Sequence, residues 1–530
     1  MAFKNLNSPL KNYPLAHLPT LALMIGAFSF WLELYIIRLP SGHSSFLAWG
    51  IFIFCLLALL FSRPWQSNIM PSLSDESLVL RVIFALGAFL GAIYLVVGLY
   101  ASFLPPHLIQ ETDALMYHIT IPRQHLLWHS FGHIPWSVAD LFLLPLDYAL
   151  SPFELATMLP NKLIQFIFFI GSLGCAFHLV YILSGRDLRR AWLGVLAVMA
   201  CHAVAIQVGL AMLDLVMLYC FLAFIHSLFV GRWTLAAIEL AFFFWSKSFI
   251  PLQMVVIGLV LGSILFWALK NNFSINEVLV PSPRERKIFM LGFAIASLGI
   301  ALPHLIKSFY YTGTPLYPFG VGFLSPLAIS SPEHWHSILQ KAGMSLSVKD
   351  TYGHGRSIVA FIKHLWLIAV PEHRVNNAFD YPVGLIYLLV LGPFLSHFIG
   401  SLKSKRLPVL SMFVLIWWLT WWFGSQQSRF LLVPICMMII LTISFLPKIS
   451  KVLIVLIILA LGLEVVSLVD ANRHDWGKPF SQLLRDQDRK ILELQPSVGA
   501  LDVKLDFPDV AFAPYPVTVI KSDSVFVITQ

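Results

Sequence analysis

Asp113 and Tyr117 stand four residues apart in the stretch IQETDALMYHITIPRQHLLW (109–128), with Glu111 two residues upstream and His118 beside the tyrosine. On a helix, residues four apart share a face, so carboxylate and phenol would be presented together. A carboxylate there can act as general base toward a substrate hydroxyl. It can also N-cap the helix that follows, and the two roles are compatible.

Further along, Asp214 sits in QVGLAMLDLVMLYCF, between two apolar runs. An ionisable group in such surroundings is costly and normally faces a cavity or a partner. A buried structural hydrogen bond and a functional role are both open to it. Three cations stand at corresponding ends of other apolar runs: Lys247 in AFFFWSKSFIPL, Lys307 in PHLIKSFYYTGTPLYPF and Arg429 in GSQQSRFLLVP. Lys and Arg bind phosphate strongly where water is scarce. The plainer reading for any one of them is a side chain reaching out to lipid head groups.

His125, His129 and His133 follow at four-residue steps, a spacing that can make a metal site on one helix face. Pro135 comes soon after and no acid completes the set, so no metal is expected there; His334 and His336 are no better placed. The five cysteines, Cys55, Cys175, Cys201, Cys220 and Cys436, all lie inside apolar runs and read as small core residues rather than ligands or a disulfide framework. The chain has no Gly-rich phosphate loop, nucleophile elbow or HExxH motif.

These residues are carried by a very apolar chain. Of 530 residues, 58% are hydrophobic and only 12% charged, and mean hydropathy is +0.80. Soluble domains average about 25% charged residues, so an integral membrane protein is expected. Many runs reach the roughly 20 apolar residues of a spanning helix, and the short alternating segments of a β-barrel are absent. The net charge of +8 comes mostly from short loops and does not point to nucleic acid.

About thirteen spans are predicted: 17–37, 45–62, 82–104, 158–183, 191–208, 211–230, 233–247, 250–269, 289–309, 382–400, 408–423, 430–447 and 452–469. A second run follows the first almost at once and no small-residue cleavage site intervenes, so no cleavable signal peptide is expected. With Lys4 and Lys11 on the cytoplasmic side, the short basic loops GRDLRR (185–190), PRERK (283–287), KSKR (403–406) and KISK (448–451) all fall on that side by parity. The same parity puts 105–157, 310–381 and the tail from 470 on the outer face. Residues 113–129, 137–150 and 357–370 read as helices lying in the interface. The tail ends in YPVTVIKSDSVFVITQ, which alternates as a strand does.

Taken together, these features resemble the GT-C class of membrane glycosyltransferases, in the branch of protein O-mannosyltransferases and lipid A aminoarabinose transferases. DALMY (113–117) is similar to the family's acidic motif opening the first external loop, with Ala114 where many members have Glu. AMLDLVML resembles the second external acid, at Asp214. WSKSF resembles a Thr-Lys motif, with Ser246 and Lys247. YYTGTPLYPF resembles a Thr-Gly-Asn-Pro-x-Tyr-Pro segment, with Thr314 for Asn and Tyr317 retained. SRFLLVP resembles an Arg-Tyr-x-x-Pro motif, with Arg429 kept and Phe430 for Tyr. The matches run in family order from about 80 to 447.

The resemblance implies an all-α, GT-C-like bundle in which residues 1–79 are two extra N-terminal helices, 80–469 the catalytic membrane region and 470–530 a small periplasmic tail. It implies an inverting transferase moving a sugar from a polyprenyl-phosphate carrier to an acceptor hydroxyl on a protein, lipid or glycan, at the periplasmic face of a bacterial inner membrane. Asp113 would be the base, with Asp214 assisting. Lys247, Arg429 and Lys307, with Tyr117, His118 and Tyr317, would hold the donor. No obligatory cofactor is expected. Relatives with a second adjacent acid can carry a divalent ion, but here only Glu111, two residues upstream, stands near, so a metal is not favoured. The competing readings are a transporter or lipid flippase, and a ligase of lipid-linked oligosaccharide. Against transport stand the lack of a clear internal repeat and the clustering of polar anomalies at one boundary rather than at the midplane. Against the ligase, the loop 310–381 carries only Arg356 and Arg374.

Overall fold

The computed structural model describes residues 14–37, 43–61, 77–106, 111, 113–134, 138–156, 159–276, 282–320, 324–329, 353, 355–369, 381–493, 518–522 and 525–529. The described chain is overwhelmingly helical. Each of the thirteen apolar stretches holds a helix, and eight of the described helices are long and apolar enough to cross a membrane: Leu18–Tyr35, Leu78–Ala101, Leu163–Leu183, Ile250–Lys270, Pro283–Thr312, Leu385–Lys403, Ser428–Phe445 and Lys451–Ala471. Shorter apolar helices, among them Asp214–Phe229, Trp233–Phe244 and Val409–Phe423, pack among these. This is an all-α membrane protein.

Local chemistry explains several helix ends. Ser77 caps Leu78–Ala101 by accepting from the Leu80 amide. Ser282 and Glu285 form a reciprocal capping box at the start of Pro283–Thr312, and Pro283 occupies the first turn, where its missing N–H is harmless. That helix stops at Gly313, whose φ of +73° is left-handed and lets the chain turn back toward Tyr317.

The centre is the helix Leu432–Phe445, almost wholly apolar and buried from Leu432 to Ser444. Leu163–Leu183, Leu188–Met199, Leu385–Lys403 and Val409–Phe423 surround it. Ile250–Lys270 and Pro283–Thr312 are mostly exposed, as lipid-facing helices are. Close approach replaces hydrophobic drive in such a bundle. A Cβ on Gly26 would lie 1.8 Å from the Ala149 carbonyl oxygen, so only glycine lets Leu18–Leu32 cross the helix Pro145–Glu154.

The two ends of the bundle differ. At one end Arg190 donates to the carbonyls of Ser444 (3.0 Å) and Leu446 (2.6 Å), and Ser274–Asn276 pairs in parallel with Arg406–Pro408. The basic loops 185–190 and 403–406 therefore each meet another loop predicted for the same face. Between the helices, Glu239 is fully satisfied by His17 (2.7 Å), Thr20 (2.9 Å) and Ser227 (2.7 Å), which ties the first helix into the bundle. The carboxylate, lysine and arginine side chains read as candidate site residues gather at the other end.

Several expectations change in detail. The span 191–208 is broken: its helix ends at Met199 and a short turn, His202–Ala205, follows Cys201. The helix expected at 113–129 is a wide π turn, Ala114–His118, followed by Thr120–Trp128. The one expected at 137–150 is a 3-10 turn, Val138–Leu141, and a separate helix, Pro145–Glu154, because Pro145 can only open a helix there. Residues 357–370 do contain a helix, Ile358–Leu367. Much of the loop 310–381 lies outside the described residues. The tail forms a helix, Phe480–Glu493, and an antiparallel hairpin with Thr518 opposite Thr529.

Candidate functional site

Asp113 does not cap a helix. Its own backbone is helical (φ −60°, ψ −40°) and its carboxylate makes no capping hydrogen bond. Oδ2 accepts instead from Nη1 of Arg429 at 2.7 Å, across 316 residues of sequence. Tyr117, one turn on, donates its hydroxyl to the same carboxylate. Burial would raise the pKa of Asp113, but the charge and hydrogen bond of Arg429, with His118 and Lys247 adding to them, hold it at about 2. Its side chain is 24% exposed, so an incoming hydroxyl can still reach it. The same pairing works on Tyr117, whose phenol is pushed up by burial first and by the neighbouring Asp113 charge second.

Arg429 lies in a 3-10 turn, Ser428–Leu431, that leads into the central helix. Two tryptophans fix that turn: Trp417 Nε1 donates to the Phe430 carbonyl (3.1 Å) and Trp421 Nε1 to the Gln427 carbonyl (2.7 Å). Beside it, Lys247 Nζ donates to Oδ1 of Asp214 at 2.9 Å. Asp214 occupies the first turn of Asp214–Phe229, where the helix dipole favours a carboxylate, and its Oδ2 has no partner among the described residues. Phe430 lies against both cations, with Lys247 Nζ 5.1 Å and Arg429 Cζ 5.4 Å from its ring centroid. Residues 113, 214, 247 and 429 thus meet around one aromatic ring.

His118 and Tyr317 are also brought here. His118 Nδ1 donates to Oδ1 of Asp147 in the helix Pro145–Glu154. Burial raises the Asp147 carboxyl, and His118 only partly offsets this. Tyr317 stacks on Phe142 (5.6 Å, 25°), whose ring meets Tyr117 edge-on at 6.3 Å. Ser248, next to Lys247, accepts from the Leu143 amide and fastens this external segment to the lysine turn. Ser246 and Thr314 serve local geometry, donating to the carbonyls of Phe243 and Phe319 (both 2.7 Å).

Two expectations need correction. Lys307 is not a third cation at this cluster. It is buried, with Nζ on Oδ1 of Asp140, 2.9 Å from His125 Nε2 and 4.6 Å from the Phe131 ring centroid, so its charge is already matched. An acid does complete the histidine series: Asp140 accepts from His125 (2.7 Å), His133 (3.1 Å) and the Ile134 amide (2.7 Å). The cation on it is the Lys307 ammonium, which with His125 holds the Asp140 carboxyl well below its usual range although burial alone would raise it. His129 turns away as a left-handed C-cap (φ +48°). Glu111, the other acid of the opening stretch, is fully buried and accepts from the Ala211 amide (2.6 Å) and Lys162 (3.3 Å). It is a strut between loops, not a free ligand. His334 and His336 lie outside the described residues.

Asp140 and Asp147 fall in the stretch expected to be an interfacial helix, 137–150, and are not among the candidate site residues. Their signal was present in ADLFLLPLDYAL: acids flanked this closely by Leu, Phe and Pro have no solvated face to occupy. No family model, no curated protein and no solved structure matches this chain.

Proposed function

We propose that the chain is an inverting glycosyltransferase of GT-C type, with a bundle of about thirteen spans. In this reading it takes a sugar from a polyprenyl-phosphate carrier and passes it to an acceptor hydroxyl at the periplasmic face of a bacterial inner membrane, where the C-terminal tail also lies. The observation that carries the reading is the pairing of Arg429 with Asp113 and of Lys247 with Asp214, both cations lying against Phe430. Two carboxylates and two cations held together at the end of an apolar bundle, with Asp113, Arg429 and Lys247 partly exposed and Asp214 buried, suit a lipid-borne phosphate meeting a water-borne hydroxyl.

The donor phosphodiester carries one negative charge and leaves with two. Cations fixed beside it are stronger ligands in the transition state than in the ground state, and therefore speed departure. Lys247 and Arg429 fill that role, and the apolar helices receive the isoprenoid. Arg429 engages the phosphate while staying on Asp113, which faces the acceptor hydroxyl with Asp214 beside it. Glu111, already engaged by Lys162, gives no support to a second acid on a metal. The test is transfer by the purified protein from a panel of radiolabelled polyprenyl-monophosphate sugars to membrane extract. Asp113→Asn is expected to cut transfer at least a hundredfold while elution and melting in detergent stay native-like. Wild-type protein that moves lipid between vesicle leaflets and forms no glycosylated product would overturn the reading.

A further inference from the structure

His118 and Asp147 make an arrangement that the proposed reaction has not yet used. Nδ1 of His118 is fixed on a fully buried carboxylate. The nitrogen across the ring, Nε2, is buried and has no partner among the described residues. Leaving a polar atom buried and unpaired is costly, so its retention asks for a group that arrives with substrate. A histidine whose Nδ1–H is held by an acid presents Nε2 as the proton acceptor, in the correct tautomer and orientation. Its charged and titratable neighbours are Asp113 and Tyr117 on its own segment, Asp147 on the helix Pro145–Glu154, and Lys247 and Arg429 from the turns around Phe430.

We infer that His118, oriented by Asp147, is the general base of sugar transfer, and that Asp113 positions the attacking hydroxyl. This rests on the glycosyltransferase reading above. Asp113 is poorly suited to end as the proton's holder, because Arg429 and Tyr117 both stabilise its ionised form. In the step itself the acceptor oxygen bonds to the anomeric carbon while its proton passes to Nε2. The bond from that carbon to the phosphate oxygen breaks, and its electron pair leaves on the phosphate. The imidazolium, stabilised by the Asp147 carboxylate, then releases its proton to water. Asp147 is a positioning residue, acting through the tautomer and orientation of His118.

The pH dependence of kcat/KM separates the two bases, measured in the transfer assay with the polyprenyl-monophosphate sugar panel and membrane extract. A carboxylate held as low as Asp113 gives no acid limb above about pH 4, so a limb there that is lost in His118→Gln belongs to the histidine. His118→Gln is expected to lose at least a hundredfold in kcat and to lose the limb. Asp147→Asn is expected to lower kcat more than tenfold with KM within threefold, and Asp147→Glu to restore part of it. A wild-type profile flat above about pH 4, or a His118→Gln protein with kcat within threefold of wild type, overturns this inference alone. Wild-type protein that transfers no sugar from any donor overturns the underlying reading and this inference with it. If His118→Gln does not fold, the wild-type profile still decides.

Discussion

Arg429 reaches Asp113 across 316 residues, Nη1 to Oδ2 at 2.7 Å, and so joins the entrance of the first external segment to the start of the central helix. Lys247 and Asp214 repeat the arrangement beside it at 2.9 Å. Each pair sets a cation beside a carboxylate, and Phe430 lies close to both cations.

Polyprenyl phosphate is expected to stabilise the detergent-solubilised protein by mass action, by about 2.7 kcal/mol at a hundred times its Kd. Lys247→Ala combined with Arg429→Ala should remove most of that gain. Melting curves with and without the carrier check this, and an unchanged shift in the double variant would take both cations out of the phosphate site.

Lys307→Met should behave in the opposite way. It leaves the buried Asp140 without its ammonium, and breaking one partner of a buried pair costs about 3–5 kcal/mol. A large fall in Tm with carrier affinity per folded molecule unchanged is the expected outcome. Weakened carrier binding at full stability would return Lys307 to the phosphate site.

Acid should weaken the Asp113–Arg429 link. The folded carboxyl is held at about 2 against an ordinary 3.8, so its stabilisation is fully present above the ordinary value and is lost as pH falls toward 2. Arg429→Met removes the counter-charge and leaves burial to push the carboxyl up. The wild type should exceed this variant by roughly 2 kcal/mol at pH 6. The gap should close as pH falls below about 4 in parallel melts, and a gap constant down to pH 3 would assign it to packing instead.

Gln487 anchors the tail helix. It donates to the carbonyls of Ser102 (3.2 Å) and Leu104 (2.9 Å) and accepts from the Asn161 amide (3.3 Å). Gln487→Ala leaves these backbone groups unpaired at a cost of about 1–3 kcal/mol each. Faster proteolysis and hydrogen exchange over Phe480–Glu493 are expected, with the bundle's exchange unchanged. Equal protection in both proteins would show that apolar contacts alone dock the tail.

The sequence alone determined that this is a helical membrane protein, because length and hydropathy of each run are local quantities that the bilayer reads directly. It also marked Asp113, Asp214, Lys247, Lys307 and Arg429 as anomalies, since a charge in an apolar context is visible without a fold. Only the tertiary structure decided their partners. Glu111 and Asp113, two residues apart and alike on paper, go to a loop strut and to an open ion pair, because one faces Lys162 and the other Arg429. Lys307 and Lys247, equally plausible phosphate ligands, part in the same way: Asp140 folds onto one and Asp214 onto the other, at different depths of burial. The pairing of His118 with Asp147 had no sequence signature, since its partners lie 29 residues apart on separate elements. Composition sets how much a buried charge costs; the packing of distant segments sets which group meets it.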